Sequence, residues 1–184
     1  MVDNKLLLYK NKRLRKKIFV YLDFWFNQMN LMDSDVIFVI DIHNVFEYDN
    51  DNVDHNIIKL INKIICYNYP IIILSVDTQL DRINFNENLI NSVNTDFCQI
   101  PKIFTHHKNK GKINKYIHEF FNKTKKYPPT LVIIDDNIDN IKDTINNIDR
   151  KHLICFNYTR HISRDSSTDN ISVLDNILVS KQIF

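Results

Sequence analysis

Three apolar segments of the chain end on side chains that bind metals or phosphate groups. These side chains are Asp41, Ser75 and the pair Asp135 and Asp136. Two unpaired carboxylates about 4 Å apart repel each other by roughly 4 kcal/mol at an effective dielectric constant near 20. A cluster of these acids therefore requires a cation or shared protons. An oxygen-only ligand set in an open site suits Mg²⁺.

A phosphate bound to that metal would assign a role to each of the other side chains. The Ser75 hydroxyl can donate to a phosphate oxygen, and a lysine would balance the remaining negative charge. Asp41, with one oxygen directed away from the metal, can attack phosphorus and form an aspartyl phosphate. The alternative interpretation is that the acids are helix caps or surface turns and that Ser75 is an ordinary strand-end hydroxyl. That alternative predicts no shared geometry.

The elements that must position these side chains follow from the apolar pattern. Continuous runs of β-branched residues predict buried strands, at 36–41, 71–75 and 130–135, with short strands at 153–156 and, unless it is an extended link, 100–104. Apolar residues at helical spacing predict helices, at 53–67, 80–93, 113–123 and 138–148. This alternation predicts an α/β fold with a parallel sheet and helices on both faces. The carboxyl ends of its strands then share one edge.

The segments outside this alternation carry weaker signals. Residues 5–32 predict one or two helices whose aromatic stripe packs on the domain, with a docking or membrane-surface helix as the alternative. We therefore divide the chain into an N-terminal helical extension, 1–33, and an α/β domain, 34–184. The stretch 46–54 predicts a polar loop or short flap, and 173–179 predicts a last helix.

Composition excludes several classes of function. The chain has 184 residues, enough for one domain with a core, and a net charge of +2, which predicts no strong general affinity for nucleic acid. Its single glycine, Gly111, excludes a glycine-rich phosphate loop. Three widely separated cysteines fit a reducing compartment. Neither a signal peptide nor a transmembrane run is evident, so we expect an intracellular protein, cytoplasmic by default.

Taken in order, the motifs resemble those of the haloacid dehalogenase-like (HAD) superfamily. The resemblance spans about residues 36–157 and includes four parts: Asp41-Ile42-His43-Asn44, Ser75, a lysine at a helix start, and Asp135-Asp136-Asn137 with Asn140. The last part is similar to the Asp-Asp-Asn…Asn form of small capless HAD phosphatases. The resemblance implies a Rossmannoid three-layer sandwich. The spacings between the motifs are too short for a large cap domain.

The resemblance also implies a metal site. Asp41 would be both the nucleophile and a Mg²⁺ ligand, and His43 would offer its backbone carbonyl to the metal. Asp135 would be a further ligand, with Asp136 beside it.

Phosphate binding is the second role that the resemblance implies. Ser75 and Asn44 would contact the substrate. The phosphate-binding lysine is ambiguous: Lys110 is favoured because Lys110-Gly111 looks like the family's Lys-Gly pattern, with Lys112 second.

One departure from the family pattern bears on activity. Most family phosphatases have an aspartate general acid where this chain has His43, and usually a threonine where it has Val45. Loss of a general acid typically costs about 10²–10⁴ in rate, although a histidine can itself donate a proton. The resemblance therefore implies a weak or specialised Mg²⁺-dependent phosphohydrolase. The alternative is a catalytically silent HAD-like binding or regulatory module.

The short spacings also indicate the substrate class. A capless site is open and cannot enclose a small metabolite by lid closure. The resemblance implies a macromolecular substrate, either a phosphoprotein or a phosphorylated nucleic-acid end. The basic loop predicted at 106–112 would guide such a polymer, or it is simply a solvated loop in a lysine-rich chain.

Overall fold

The structure is a computed structural model that describes residues 7–8, 14–31, 34–48, 52–123 and 129–158, with backbone only at 7–8. Strands and helices alternate along these residues. They are β1 (Leu7–Leu8), α1 (Leu14–Asn27), β2 (Val36–Ile40), β3 (Glu47–Tyr48), β4 (Asn52–Val53), α2 (His55–Cys66), β5 (Ile71–Val76), α3 (Leu80–Val93), β6 (Lys102–Thr105), α4 (Lys110–Asn122), β7 (Thr130–Asp135), α5 (Ile138–Asn147) and β8 (Leu153–Asn157).

The main sheet is parallel, with strand order β1-β6-β5-β2-β7-β8. The most apolar strand, β2, lies between β5 and β7, and Ile40 pairs with Ile73 on one side and Ile134 on the other. This register brings the carboxyl ends of the three strands to one edge of the sheet. The predicted α/β class, parallel sheet and flanking helices are confirmed.

Both faces of the sheet are covered because β2 buries side chains in both directions. Phe38 and Ile40 pack with α2 and α3 on one face. Ile37 and Val39 pack on the other face with α1 and α4, and α5 packs against α4. Each fully buried side chain of this size contributes about 1.5–3 kcal/mol. In the described part of the chain, no helix has the length and apolar character needed to cross a membrane.

Three predicted segments differ from the structure. Within the helical prediction for 5–32, Leu7–Leu8 instead pairs with β6 as a two-residue strand. The predicted loop or flap at 46–54 contains the antiparallel β3–β4 pair. The predicted loop at 106–112 is a short 3₁₀ helix followed by the first turn of α4. The helix predicted at 173–179 lies outside the described residues.

A buried histidine, His118, lies at the edge of the sheet formed by the amino ends of the strands, and it predicts that the stability of the fold depends on pH. The Nε2–H of His118 donates to the carbonyl of Pro129 at 3.0 Å, and its ring stacks on His152 with 5.9 Å between centroids. Burial lowers the pKa of His118 below its usual value, although the Pro129 carbonyl opposes this. The neutral ring is therefore the form that the fold accepts.

We expect the free energy of unfolding to fall as the pH drops from about 7 to 5, because the unfolded chain takes up a proton at His118 before the folded chain does. His118→Gln keeps an amide donor for Pro129 and removes this contribution, so its profile should be flatter by at most about 1.4 kcal/mol per pH unit. Urea unfolding across that range measures the difference. Parallel profiles of the two proteins would contradict the prediction.

Candidate functional site

The predicted carboxylates form one cluster at the carboxyl edge of the sheet. Asp41, Asp135 and Asp136 each place an oxygen within 4.8 Å of the others. Asp41 follows β2, and its Oδ1 accepts from the backbone N–H of Ile42 at 2.7 Å. Asp135 ends β7, and its Oδ1 accepts from the backbone N–H of Asn137 at 2.9 Å. These bonds fix the two carboxylates and leave their Oδ2 atoms facing a common partner.

That partner is the first residue of α4. Lys110 is 1% exposed, and its Nζ lies 3.1 Å from Asp41 Oδ2 and also contacts Asp135 Oδ2. Burial alone would lower the pKa of Lys110, but the two carboxylates outweigh it and the pKa is raised. For Asp135, burial raises the pKa of the carboxyl group, and the positive charge of Lys110 opposes this change. Lys110 therefore stays charged at neutral pH, although a cation at a helix N-terminus opposes the helix dipole.

A contact between α4 and α5 holds Lys110 in this position. Asn109 makes no side-chain cap for α4. Instead, Asp143 of α5 accepts from the backbone N–H of Gly111 at 2.7 Å, and Asn114 donates to Thr144 at 2.8 Å. The carboxylate thus satisfies one of the donors that a helix start leaves unpaired. The sequence predicts a loop at Gly111 and gives no local signal for Asp143.

Gly111 is required here for space. A Cβ on Gly111 would lie 2.5 Å from the backbone carbonyl carbon and oxygen of Asp143. We expect Gly111→Ala to destabilise the fold by about 1–3 kcal/mol, since overpacking forces the backbone to shift. Thermal unfolding measures the loss, with Lys112→Ala on the exposed side of the same turn as the matched control. Equal unfolding temperatures for the two variants would contradict the prediction.

The second candidate lysine does not reach the cluster. Lys112 is exposed, and its Nζ lies 5.9 Å from the centroid of the Tyr116 ring. Two residues along an α-helix correspond to roughly 200° of rotation, so Lys110 and Lys112 face opposite sides. The structure therefore brings Lys110, the favoured lysine, to the carboxylates and places Lys112 in solvent.

Ser75 lies in β5, the strand beside β2, at the same edge of the sheet. Its side chain is fully buried, and among the described residues its hydroxyl has no hydrogen-bond partner. A buried hydroxyl without a partner typically costs about 1–3 kcal/mol. Such a group is expected where a ligand supplies the missing acceptor.

Asn44 and Asp136 are held together at the outer side of the cluster. Asn44 has a left-handed backbone, with φ of 56°, which asparagine tolerates better than most residues. Its Nδ2 donates to Asp136 Oδ2 at 2.9 Å. Asn44 was predicted to contact the substrate, and in the structure its side chain orients Asp136.

His43 lies beside the cluster, in a group of charged residues that the sequence does not predict. Glu47, Asp77 and Arg82 all approach its ring. Asp77 follows β5 directly after the Ser75 motif, which is the one local signal for it. Glu47 and Arg82 belong to β3 and α3, and their contacts with His43 depend on the tertiary structure.

A cavity of about 340 Å³ opens next to His43. It is lined by His43, Val76, Asp77, Thr78, Gln79, Arg82, His106 and His107. Of the residues predicted for the site, His43 alone lines this cavity, so the cavity lies on the His43 side of the cluster.

Comparisons of this chain with protein-family models, with curated proteins and with solved structures find no match.

Proposed function

We propose that this chain is a Mg²⁺-dependent phosphohydrolase that works through an aspartyl phosphate on Asp41, in the manner of the capless HAD phosphatases that its motifs resemble. The observation that carries the proposal is the buried contact of Lys110 with both Asp41 and Asp135. A nucleophilic carboxylate, a second carboxylate and a fixed cation are the groups that phosphoryl transfer through an aspartyl phosphate uses. The Ser75 hydroxyl at the same edge, which has no partner among the described residues, adds a hydrogen-bond donor for the phosphate.

The cluster has the chemistry of a magnesium site. Asp41, Asp135 and Asp136 offer carboxylate oxygens close together, with no sulfur or nitrogen ligand among the three. These residues would hold the ion, with the backbone carbonyl of His43. When bound, Mg²⁺ would neutralise charge on the carboxylates and the phosphoryl group and orient that group.

The first half of the reaction uses Asp41 and His43. A carboxylate oxygen of Asp41 attacks phosphorus while the bond from phosphorus to the leaving oxygen breaks. The leaving oxygen takes a proton from His43 and departs as an alcohol. Lys110 and Ser75 bind phosphoryl oxygens throughout, so that charge developing in the transition state meets donors already in place.

The second half restores the enzyme. Water attacks the aspartyl phosphate and gives its proton to His43, and the bond between phosphorus and Asp41 breaks. Inorganic phosphate leaves, Asp41 is again a carboxylate, and His43 again carries the proton that it donates in the next cycle. The two halves therefore balance without a further reactant.

The described connections support a macromolecular substrate. Between β2 and β5 the described residues form only the β3–β4 pair and α2, and between β5 and α4 only α3, β6 and two short 3₁₀ helices. These segments are too small to form a lid domain over the cluster. A phosphate at the end or on the surface of a polymer could enter from the side of the His43 cavity.

Release of phosphate from para-nitrophenyl phosphate, with Mg²⁺ and with EDTA, tests the proposal. This substrate has a good leaving group and needs little help from a general acid. We expect turnover with Mg²⁺ and background rates with EDTA. A wild-type protein that binds Mg²⁺ without any turnover would contradict the proposal and favour the catalytically silent module.

A further inference from the structure

Glu47 holds one nitrogen of the His43 ring. Its Oε2 lies 3.2 Å from His43 Nδ1. Glu47 itself is buried, and its backbone N–H donates to the carbonyl of Ile42 at 2.9 Å. Because His43 and Glu47 also form a β-bridge, the two side chains are fixed with respect to each other.

The surroundings decide which ring nitrogen carries the shared proton. The Arg82 guanidinium also approaches Nδ1, at 3.5 Å, but it can only donate, and its Nε pairs with Asp77 at 3.3 Å. Glu47 can only accept and lies closer to Nδ1. This geometry favours the tautomer with the proton on Nδ1, where it is donated to Glu47.

The other ring nitrogen is left for a reacting group. His43 Nε2 is buried and has no hydrogen-bond partner among the described residues. Asp77 Oδ2 lies 3.8 Å from Nε2, beyond hydrogen-bond distance. An imidazole held by a carboxylate at Nδ1 presents Nε2 in one orientation, which is the arrangement that makes a histidine an effective proton donor and acceptor.

We propose that Glu47 is a positioning residue that holds His43 so that Nε2 faces the leaving oxygen of an alkyl phosphate monoester. This inference rests on the proposed function. Alkoxides are poor leaving groups and require protonation, whereas nitrophenolate leaves without it. The Glu47–His43 pair thus replaces a single carboxylic acid as the general acid. Its substrate class is alkyl phosphates, such as phosphorylated hydroxyl groups of a polymer.

Two substrates of similar size separate this role from a merely structural one. Para-nitrophenyl phosphate has a good leaving group, and benzyl phosphate releases an alcohol. We expect Glu47→Gln to lower kcat/KM for benzyl phosphate by roughly 10- to 100-fold and to leave that for para-nitrophenyl phosphate nearly unchanged. Glu47→Asp, which keeps the charge on a shorter side chain, should lose less.

Two controls accompany these variants. The first is Glu119→Gln, which changes a partly buried glutamate of α4 that pairs with Arg15 of α1 at 3.2 Å. This variant should retain wild-type activity on both substrates. In a His43→Asn background, Glu47→Gln should cause no further loss on benzyl phosphate, because Glu47 acts through His43.

The outcomes are distinct. Equal losses on both substrates, or losses that add in the His43→Asn background, overturn the role of Glu47 while Asp41-dependent turnover of para-nitrophenyl phosphate stands. Absence of wild-type turnover overturns the proposed function and the role of Glu47 with it. Nitrogen NMR of His43 gives a reading without turnover: a neutral ring with its proton on Nε2 also overturns the inference.

Discussion

Asp41→Asn should reduce Mg²⁺-dependent release of phosphate from para-nitrophenyl phosphate by at least about 10³-fold, to the level of the background reaction. Asparagine has nearly the same shape as aspartate, so the hydrogen bond from the backbone N–H of residue 41 to the carbonyl of Ile134 is retained. The amide cannot attack phosphorus, and it leaves the ammonium of Lys110 with one carboxylate fewer. Steady-state rates with a metal-free control measure the effect.

An acid outside the cluster provides the matched control for this substitution. Asp139 is exposed in the first turn of α5. Its carboxylate makes a long ion pair with Lys142, with 3.8 Å between Oδ1 and Nζ. Asp139→Asn removes the same charge from the same edge of the protein and should retain wild-type turnover. An Asp41→Asn protein that still turns over within tenfold of wild type would exclude Asp41 as the nucleophile and require a different mechanism.

The sheet and its cluster of acids could be predicted because the signals for them are local. Runs such as 36–40 are apolar at every position and rich in β-branched residues, which is typical of a strand buried on both faces. A parallel sheet then brings the ends of such strands to one edge whatever the details of the helices. Asp41 and Asp135 meet because β7 pairs with β2 in that sheet, a strand order that the alternation of strands and helices does not determine by itself.

The start of α4 could not be predicted from local signals. A glycine next to basic residues is typical of a loop, because glycine disfavours helices and α4 has no acid in its first turn. What stabilises the helix start is Asp143, which lies 32 residues further along the chain. Once α4 begins at Lys110, helical rotation alone decides between Lys110 and Lys112.

The surroundings of His43 were missed for a similar reason. Glu47 reaches Nδ1 from a strand of two residues, and Arg82 reaches it from α3. Glu47 is four residues from His43, a spacing that predicts a contact on a helix, but these residues form a turn and the start of β3. Arg82 lies 39 residues from His43, and no regular element explains that spacing. Both polar contacts depend on how the β3–β4 pair and α3 close on the sheet edge, which the hydrophobic pattern does not determine.

Lys110→Met should destabilise the fold by about 3 kcal/mol near neutral pH, because it leaves the buried carboxylates of Asp41 and Asp135 without their cation. Methionine keeps most of the side-chain volume, so packing changes little. For a domain of this size the loss corresponds to a fall in the unfolding temperature of about 6–12 °C. Thermal unfolding with EDTA measures it. The same variant should lose phosphatase activity, since the phosphoryl group loses a fixed positive charge.

Mg²⁺ distinguishes this electrostatic cause from a packing defect. A divalent ion bound by the same carboxylates replaces the missing charge, and in the variant it no longer shares those oxygens with an ammonium group. Saturating Mg²⁺ should therefore raise the unfolding temperature of Lys110→Met more than that of the wild type. Lys112→Met, which removes an exposed lysine from the same turn, should change stability by less than about 0.5 kcal/mol and show the wild-type response to Mg²⁺. A Lys110→Met protein as stable as wild type in EDTA would mean that at least one of the two acids is neutral in the fold. Because burial raises the pKa of Asp135 and Lys110 opposes this, Asp135 is the acid that would take up a proton once the lysine is removed.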